Sequence, residues 1–326
     1  MGLLAVLFQE IRTVLVRIDG LYEEMASCIM SAHCLEQDPA AGEWSGKDLD
    51  MKIIRYTPAV EGMSQPDVKL DIYLQEPSAA LAIKERPMIL ICPGGAYAYT
   101  SDREAEPLAL TFLAMGYDAA VLRYSVAPVR YPVALQELAK SVAYIRNNAA
   151  QWHVLPDKLF VLGCAAGGHL AANLGVQWND AEVMTGAGIP ADNLKLVRPD
   201  GLILCYPVIT SGKFAHKGSF ENLLGERNAE EGPKHSLENQ VTPDMPPVFL
   251  WHTFTDQAVP VENSLLLASA LRAAGVSLEM HIFERGVHGL SLANAITENP
   301  EHGESEASCT SWVGLVHTWL EARCGY

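Results

Sequence analysis

Residues 161–172 read VLGCAAGGHLAA. An apolar strand pattern, Leu159 to Leu162, runs into a turn made only of small residues, and a helix pattern begins at once. Glycine there lets a helix start directly on the end of a strand and pack closely on the sheet. The stretch has the form of the strand-turn-helix elbow G-x-S-x-G, which lifts a serine Oγ above a parallel sheet. The frame here is Gly163-Cys164-Ala165-Ala166-Gly167, so the position that carries the nucleophile in that signature is Ala165. A chain built around such a turn is committed to an α/β sheet with the turn at a strand's carboxyl end.

The flanking pattern agrees. Strands are predicted over 52–56, 69–74, 88–92, 118–124, 159–163, 201–206, 247–252 and 278–283, and helices over about 103–115, 133–150, 167–177, 262–274 and 306–321. The later strands are short, apolar and β-branched, as parallel strands buried on both faces are. The alternation, with two hairpin-like strands first, predicts an α/β fold: an open, mostly parallel, eight-stranded doubly wound sheet. Segments 177–199 and 211–245 are polar and rich in Gly, Pro, Asp and Asn, with no long apolar lid, which fits a shallow, water-accessible cleft.

Residues 51–326 form this main domain. Ahead of it, Leu4, Leu7, Ile11, Val14, Ile18, Leu21, Met25 and Cys28 follow a heptad spacing. Residues 1–50 therefore read as an N-terminal helical extension and a polar linker. The helix would either lie on the main domain or pair two copies as a homodimer.

Of the 326 residues 49% are hydrophobic, enough for one large core, and the formal net charge of −16 disfavours phosphate backbones and anionic lipid as partners. No run reaches the roughly 18 apolar residues that span a bilayer. Leu3 to Phe8 is apolar but lacks a preceding basic region and is followed by Glu10 and Arg12, a poor signal peptide. The seven cysteines are odd in number, without a C-x-x-C pair. Both features point to a reducing, cytoplasmic setting. The ten histidines show no metal-ligand spacing, and Gly94-Gly95 lacks the Lys-Ser/Thr of a phosphate loop. No metal or other cofactor is expected.

Two further features converge on the elbow. Strand 88–92 is followed by Pro93-Gly94-Gly95-Ala96, a turn whose backbone N–H groups can face a developing oxyanion. Gly95 and Ala96 are the candidate donors there, and the N–H of Ala166 is the second. Asp256 follows strand 247–252 and His288 follows strand 278–283, both at the carboxyl ends of strands. In the order nucleophile position, acid, base, His288 would accept the nucleophile's proton, and Asp256 would fix its tautomer and stabilise the imidazolium. Tyr97, Tyr99, Arg103 and Trp251 are the candidate substrate contacts. Glu104 is read as either meeting the ligand or pairing with Arg103, and His169 as a packed core histidine.

From about residue 51 onward the chain resembles the α/β-hydrolase superfamily, and within it the acetyl xylan esterase-like and BD-FAE-like carboxylesterases. The resemblance rests on CPGGAYAYTSDRE (92–104), GYDAAVLRYSVAP (116–128), VLGCAAGGHLAA (161–172), YPVIT (206–210), TDQAVPVENSLLLASAL (255–271) and HIFERGVHG (281–289). The family elbow reads G-x-S-A-G-G-H-L-A, and only the serine differs. The resemblance implies a serine esterase that removes short acyl groups, acetyl above all, from xylan- or mannan-type oligosaccharides through an acyl-enzyme, with a small ester as partner. Three accounts of Ala165 stay open: a deliberate serine-to-alanine change, a natural ligand-binding protein on a hydrolase scaffold, and Cys164 acting as nucleophile. An oligopeptidase-like hydrolase is a further alternative.

Overall fold

The computed structural model describes residues 51–301, 303 and 305–325. The heptad-patterned stretch and linker at 1–50 lie outside the described residues. Eight strands form one sheet: β1 (Lys52–Tyr56), β2 (Lys69–Leu74), β3 (Arg86–Cys92), β4 (Asp118–Arg123), β5 (Val154–Cys164), β6 (Gly201–Cys205), β7 (Val248–Thr253) and β8 (Leu278–Phe283). Their order is β1-β2-β4-β3-β5-β6-β7-β8. β2 pairs antiparallel with both β1 and β4, and the pairings from β4 through β3 to β8 are parallel. This is the mostly parallel α/β sheet that the strand patterns predict.

Helices cover both faces, so alternate residues of one strand serve different cores. Met88 and Leu90 of β3 pack with α2 (Val133–Trp152), α3 (Ala166–Gln177) and α6 (Glu262–Ala274). Ile89 and Ile91 pack on the other side with α1 (Glu106–Ala114) and α7 (Trp312–Cys324). Burial on both faces removes the polar alternation of a one-sided sheet.

Two polar segments in which the sequence pattern placed no element contain short helices. Segment 177–199 contains α4 (Ala181–Gly186), capped by the Asp180 carboxylate, which accepts the N–H groups of Glu182 and Val183. Segment 211–245 contains α5 (Lys217–Leu224), which buries Phe220, Leu223 and Leu224. Helices this short carry too few turns for periodicity to show.

The elbow forms by close backbone approach. β5 ends at Cys164, α3 begins at Ala166, and Ala165 between them holds φ 51° and ψ −115°. Such a conformation costs about 1–3 kcal/mol and persists only where its surroundings enforce it. A Cβ on Gly163 would come within 2.2 Å of the Gly167 carbonyl oxygen, and one on Gly167 within 2.0 Å of the Cys92 carbonyl oxygen. The start of α3 is thereby pressed onto the ends of β5 and β3.

Asp118, fully buried at the start of β4, is a second constraint on the fold. Its Oδ1 accepts the Gln75 N–H at 2.9 Å, and its Oδ2 has no partner. Burial pushes its carboxyl from 3.8 up to about 7, against the pull of that N–H and of Arg86. The folded state therefore holds a proton that the unfolded chain releases, and this group's contribution falls as pH rises from about 4 to 7.

The close approach and the buried carboxyl each generate a stability test. Gly167→Ala should destabilise the fold by more than about 3 kcal/mol in chemical denaturation. Gly314→Ala, in α7 with open space where the Cβ would go, should instead stabilise it by about 0.5–1 kcal/mol. Similar effects at the two sites would contradict the close approach. For the carboxyl, the native chain should lose roughly a few kcal/mol of stability relative to Asp118→Asn between about pH 4 and pH 7. Parallel stability profiles for the two proteins would contradict this.

Candidate active site

Asp256 and His288, the candidate acid and base, stand on the loops after β7 and β8. His288 Nδ1 lies 2.7 Å from Asp256 Oδ2. Oδ1 of Asp256 accepts the N–H groups of Ala258 and Val259, both at 2.9 Å. A second histidine, His252 at the end of β7, meets the same carboxylate from beneath. Its Nε2 is 3.2 Å from Asp256 Oδ2 and 3.0 Å from the Val259 carbonyl oxygen. Both partners are acceptors, so Nε2 carries the hydrogen. Ser264 Oγ lies 2.7 Å from Nδ1 on the other side of the ring. Burial alone would raise the Asp256 carboxyl, but His252, His288 and the Val259 N–H outweigh it and hold the group well below the ordinary carboxylate range. Asp256 is thus a fixed anion facing Nδ1 of His288, which directs Nε2 away from the carboxylate.

The turn after β3 supplies donors. Gly95, Ala96 and Tyr97 take positive φ of 127°, 55° and 57°. A side chain on Gly95 would strike the Tyr99 carbonyl oxygen at 2.1 Å. Across from this turn, Ala166 is the first residue of α3, so its N–H is among those a helix leaves without an internal acceptor, at the positive end of the dipole. Gly95, Ala96, Ala165, Ala166 and His288 all line one pocket of about 270 Å³. The candidate nucleophile position, oxyanion donors and base therefore share a single space.

The candidate contact residues divide. Tyr99 and Arg103 line the pocket. Tyr97 and Trp251 do not. Tyr97 is buried and donates its O–H to His169 Nδ1 at 2.9 Å. Trp251 is fully buried and stacks on Trp312 with ring centroids 5.2 Å apart. Strand alternation turns Trp251 toward α7, while its neighbour His252 faces the other way. Arg103 does not pair with Glu104. It donates to the carbonyls of Gly289 and Thr297, both at 2.8 Å.

His169 is a packed histidine: burial lowers it to about 4, and its Nε2–H donates to the His235 carbonyl at 3.1 Å. Cys164 is fully buried, and burial with the adjacent Cys205 raises its thiol well above the ordinary value. A neutral, enclosed thiol is no nucleophile. The pocket also holds His216 and Ser219, linked Nδ1 to Oγ at 2.9 Å. Burial and the neighbouring His288 lower His216. Neither residue carries a spacing signal that sequence reading could have used.

The BD-FAE family model matches residues 70–271. Endo-1,4-beta-xylanase B of Butyrivibrio fibrisolvens is 37% identical over 217 residues, 64% of this chain and 33% of that protein. Acetylxylan esterase of Xylanibacter ruminicola is 28% identical over 208 residues, 61% of this chain and 40% of that protein. The chain thus spans only a third to two fifths of the length of these curated relatives. Among solved structures, an acetyl ester-xyloside bifunctional hydrolase from Caldicellulosiruptor lactoaceticus superposes with a TM-score of 0.69 at 34% identity, covering 86% of this chain and 98% of the other. With a family match over more than half its length, on this sheet and around this pocket, the chain belongs to the BD-FAE family of α/β-hydrolase-fold proteins.

Proposed function

We propose that the pocket is a carboxylic ester hydrolase site for short acyl groups, acetyl above all, carried on xylan- or mannan-type oligosaccharides. Ala165 occupies the nucleophile position, so in this reading the chain as it stands binds the ester and turns it over very slowly. The observation that carries the reading is the 2.7 Å Asp256–His288 bond, opening on the space that Ala165, the glycine turn and the start of α3 also line. The carbohydrate assignment draws on the acetylxylan esterase and xylanase among the relatives and on the exposed Tyr99 ring at the pocket, which can stack on a sugar.

With serine at 165 the chemistry balances as acyl transfer. His288 Nε2 takes the Oγ proton as Oγ attacks the ester carbonyl carbon. The negative charge moves to the carbonyl oxygen, where the N–H groups of the turn (Gly95 and Ala96) and of Ala166 receive it, each contributing about 3–4 kcal/mol in the transition state. The tetrahedral intermediate collapses, the alcohol leaves with the proton from His288, and water then releases the acid by the same steps. With alanine no oxygen is present to attack, and loss of the serine in a triad enzyme lowers turnover by about 10⁶.

The test is hydrolysis of p-nitrophenyl acetate and acetylated xylo-oligosaccharides by Ala165→Ser beside the chain itself. A gain of about 10⁴–10⁶ in kcat is expected, removed again by His288→Ala in the same background. A folded Ala165→Ser protein with no gain would overturn the hydrolase reading. If that protein still bound acetylated xylo-oligosaccharides, a ligand-binding role on this scaffold would replace it.

A further inference from the structure

The pocket contains a carboxylate that acyl transfer does not use. Glu104 is 3% exposed, closes the short 3-10 turn Asp102–Glu104, and lines the pocket. Both its oxygens are engaged by protein donors. Oε2 accepts the Gly94 N–H at 2.8 Å, and Oε1 accepts the Tyr206 O–H at 2.7 Å. The Tyr206 oxygen in turn accepts the N–H of Ser291 at 2.9 Å, in the loop that carries His288. The Tyr206 ring stands edge-on to the His288 imidazole, with centroids 5.2 Å apart and planes at 73°. The neighbouring Arg103 runs the same way: its Nη2 donates to the Gly289 carbonyl, and Ser291 Oγ donates to the Arg103 carbonyl at 2.6 Å.

Two features show why such a link is needed. The donor turn holds positive φ at three successive residues, Gly95, Ala96 and Tyr97, a shape that alanine and tyrosine do not prefer on their own. Something outside the turn must fix its start, and the Gly94 N–H held by Glu104 does so. Tyr206 is itself at φ 37°, so its ring is also held by its surroundings. Charge-assisted bonds from a buried carboxylate are strong, and removing it leaves two buried donors without acceptors.

We propose that Glu104 is a positioning residue that locks the oxyanion turn to the His288 loop through Tyr206, so that donor groups and base keep one spacing. The coupling stands on the hydrogen bonds alone, and only its catalytic consequence rests on the ester hydrolase reading.

Hydrogen exchange on the chain as it stands tests the coupling without any turnover. Glu104→Ala should speed exchange about tenfold or more in 93–99 and in 286–292 together. Tyr206→Phe, which keeps the Gly94 bond but loses the acceptor of Ser291, should loosen 286–292 and leave 93–99 protected. Faster exchange confined to 93–99 in Glu104→Ala, or no change at 286–292 in Tyr206→Phe, would overturn the proposal.

Kinetics in the Ala165→Ser background test the consequence, with kcat expressed per active site titrated by an organophosphonate so that misfolded protein does not count. Glu104→Ala should lower kcat by about 10–100-fold with little change in KM. Glu104→Gln, which retains one acceptor, should recover much of it. An unchanged kcat per titrated site would overturn the positioning role. If Ala165→Ser itself is inactive, the hydrolase reading fails and the exchange result still decides the coupling. If Glu104→Ala does not fold, Glu104→Gln and Tyr206→Phe carry both measurements.

Discussion

At the elbow, the α-carbon of Gly167 lies so near the end of β3 that a methyl group on it would meet the Cys92 carbonyl oxygen at 2.0 Å. The rest of the site depends on that contact. It places the first N–H groups of α3 beside the glycine turn that leaves β3, and it forces Ala165 into a conformation that presents its side-chain position to the pocket. Because β3, β5 and β6 are parallel neighbours, their carboxyl ends open on one edge. The loops after β7 and β8 reach the same edge. A strained turn on a rigid sheet is thus the common origin for groups drawn from five strand ends.

The polar groups around that edge are held in two connected sets. Around Asp256, His252, His288 and the Val259 N–H keep the carboxylate ionised despite burial. Asp256 then fixes His288 through Nδ1. On the other side, Glu104 joins the donor turn to Tyr206, whose ring abuts His288. His288 is therefore held through its nitrogen by one set and met at its ring by the other. Ala165 sits between these sets, lining the same pocket as the glycine turn and His288.

The sheet was legible because parallel strands buried on both faces are short and apolar, as the runs at 88–92 and 201–206 are throughout. That position 165, Asp256 and His288 come together was legible because each sits where a predicted strand ends. Side-chain direction was not. Trp251 and His252 are neighbours, yet one packs on Trp312 and the other holds Asp256; the choice depends on which helix covers which face, and periodicity does not encode that. Glu104 was visible as a residue, but its role depends on Gly94 and Tyr206 together. His216 and Ser219 belong to a polar segment whose short helix leaves no repeating pattern.

The most direct test of the account is a crystal structure of the chain as it stands, with Ala165 in place, soaked with an acetylated xylo-oligosaccharide. The account predicts the ester carbonyl carbon above the Ala165 Cβ and its oxygen about 3 Å from the N–H groups of Ala96 and Ala166. The alcohol oxygen should face His288 Nε2. An oligosaccharide bound in the pocket with its acetyl group turned away from both N–H groups, or bound elsewhere on the surface, would contradict it.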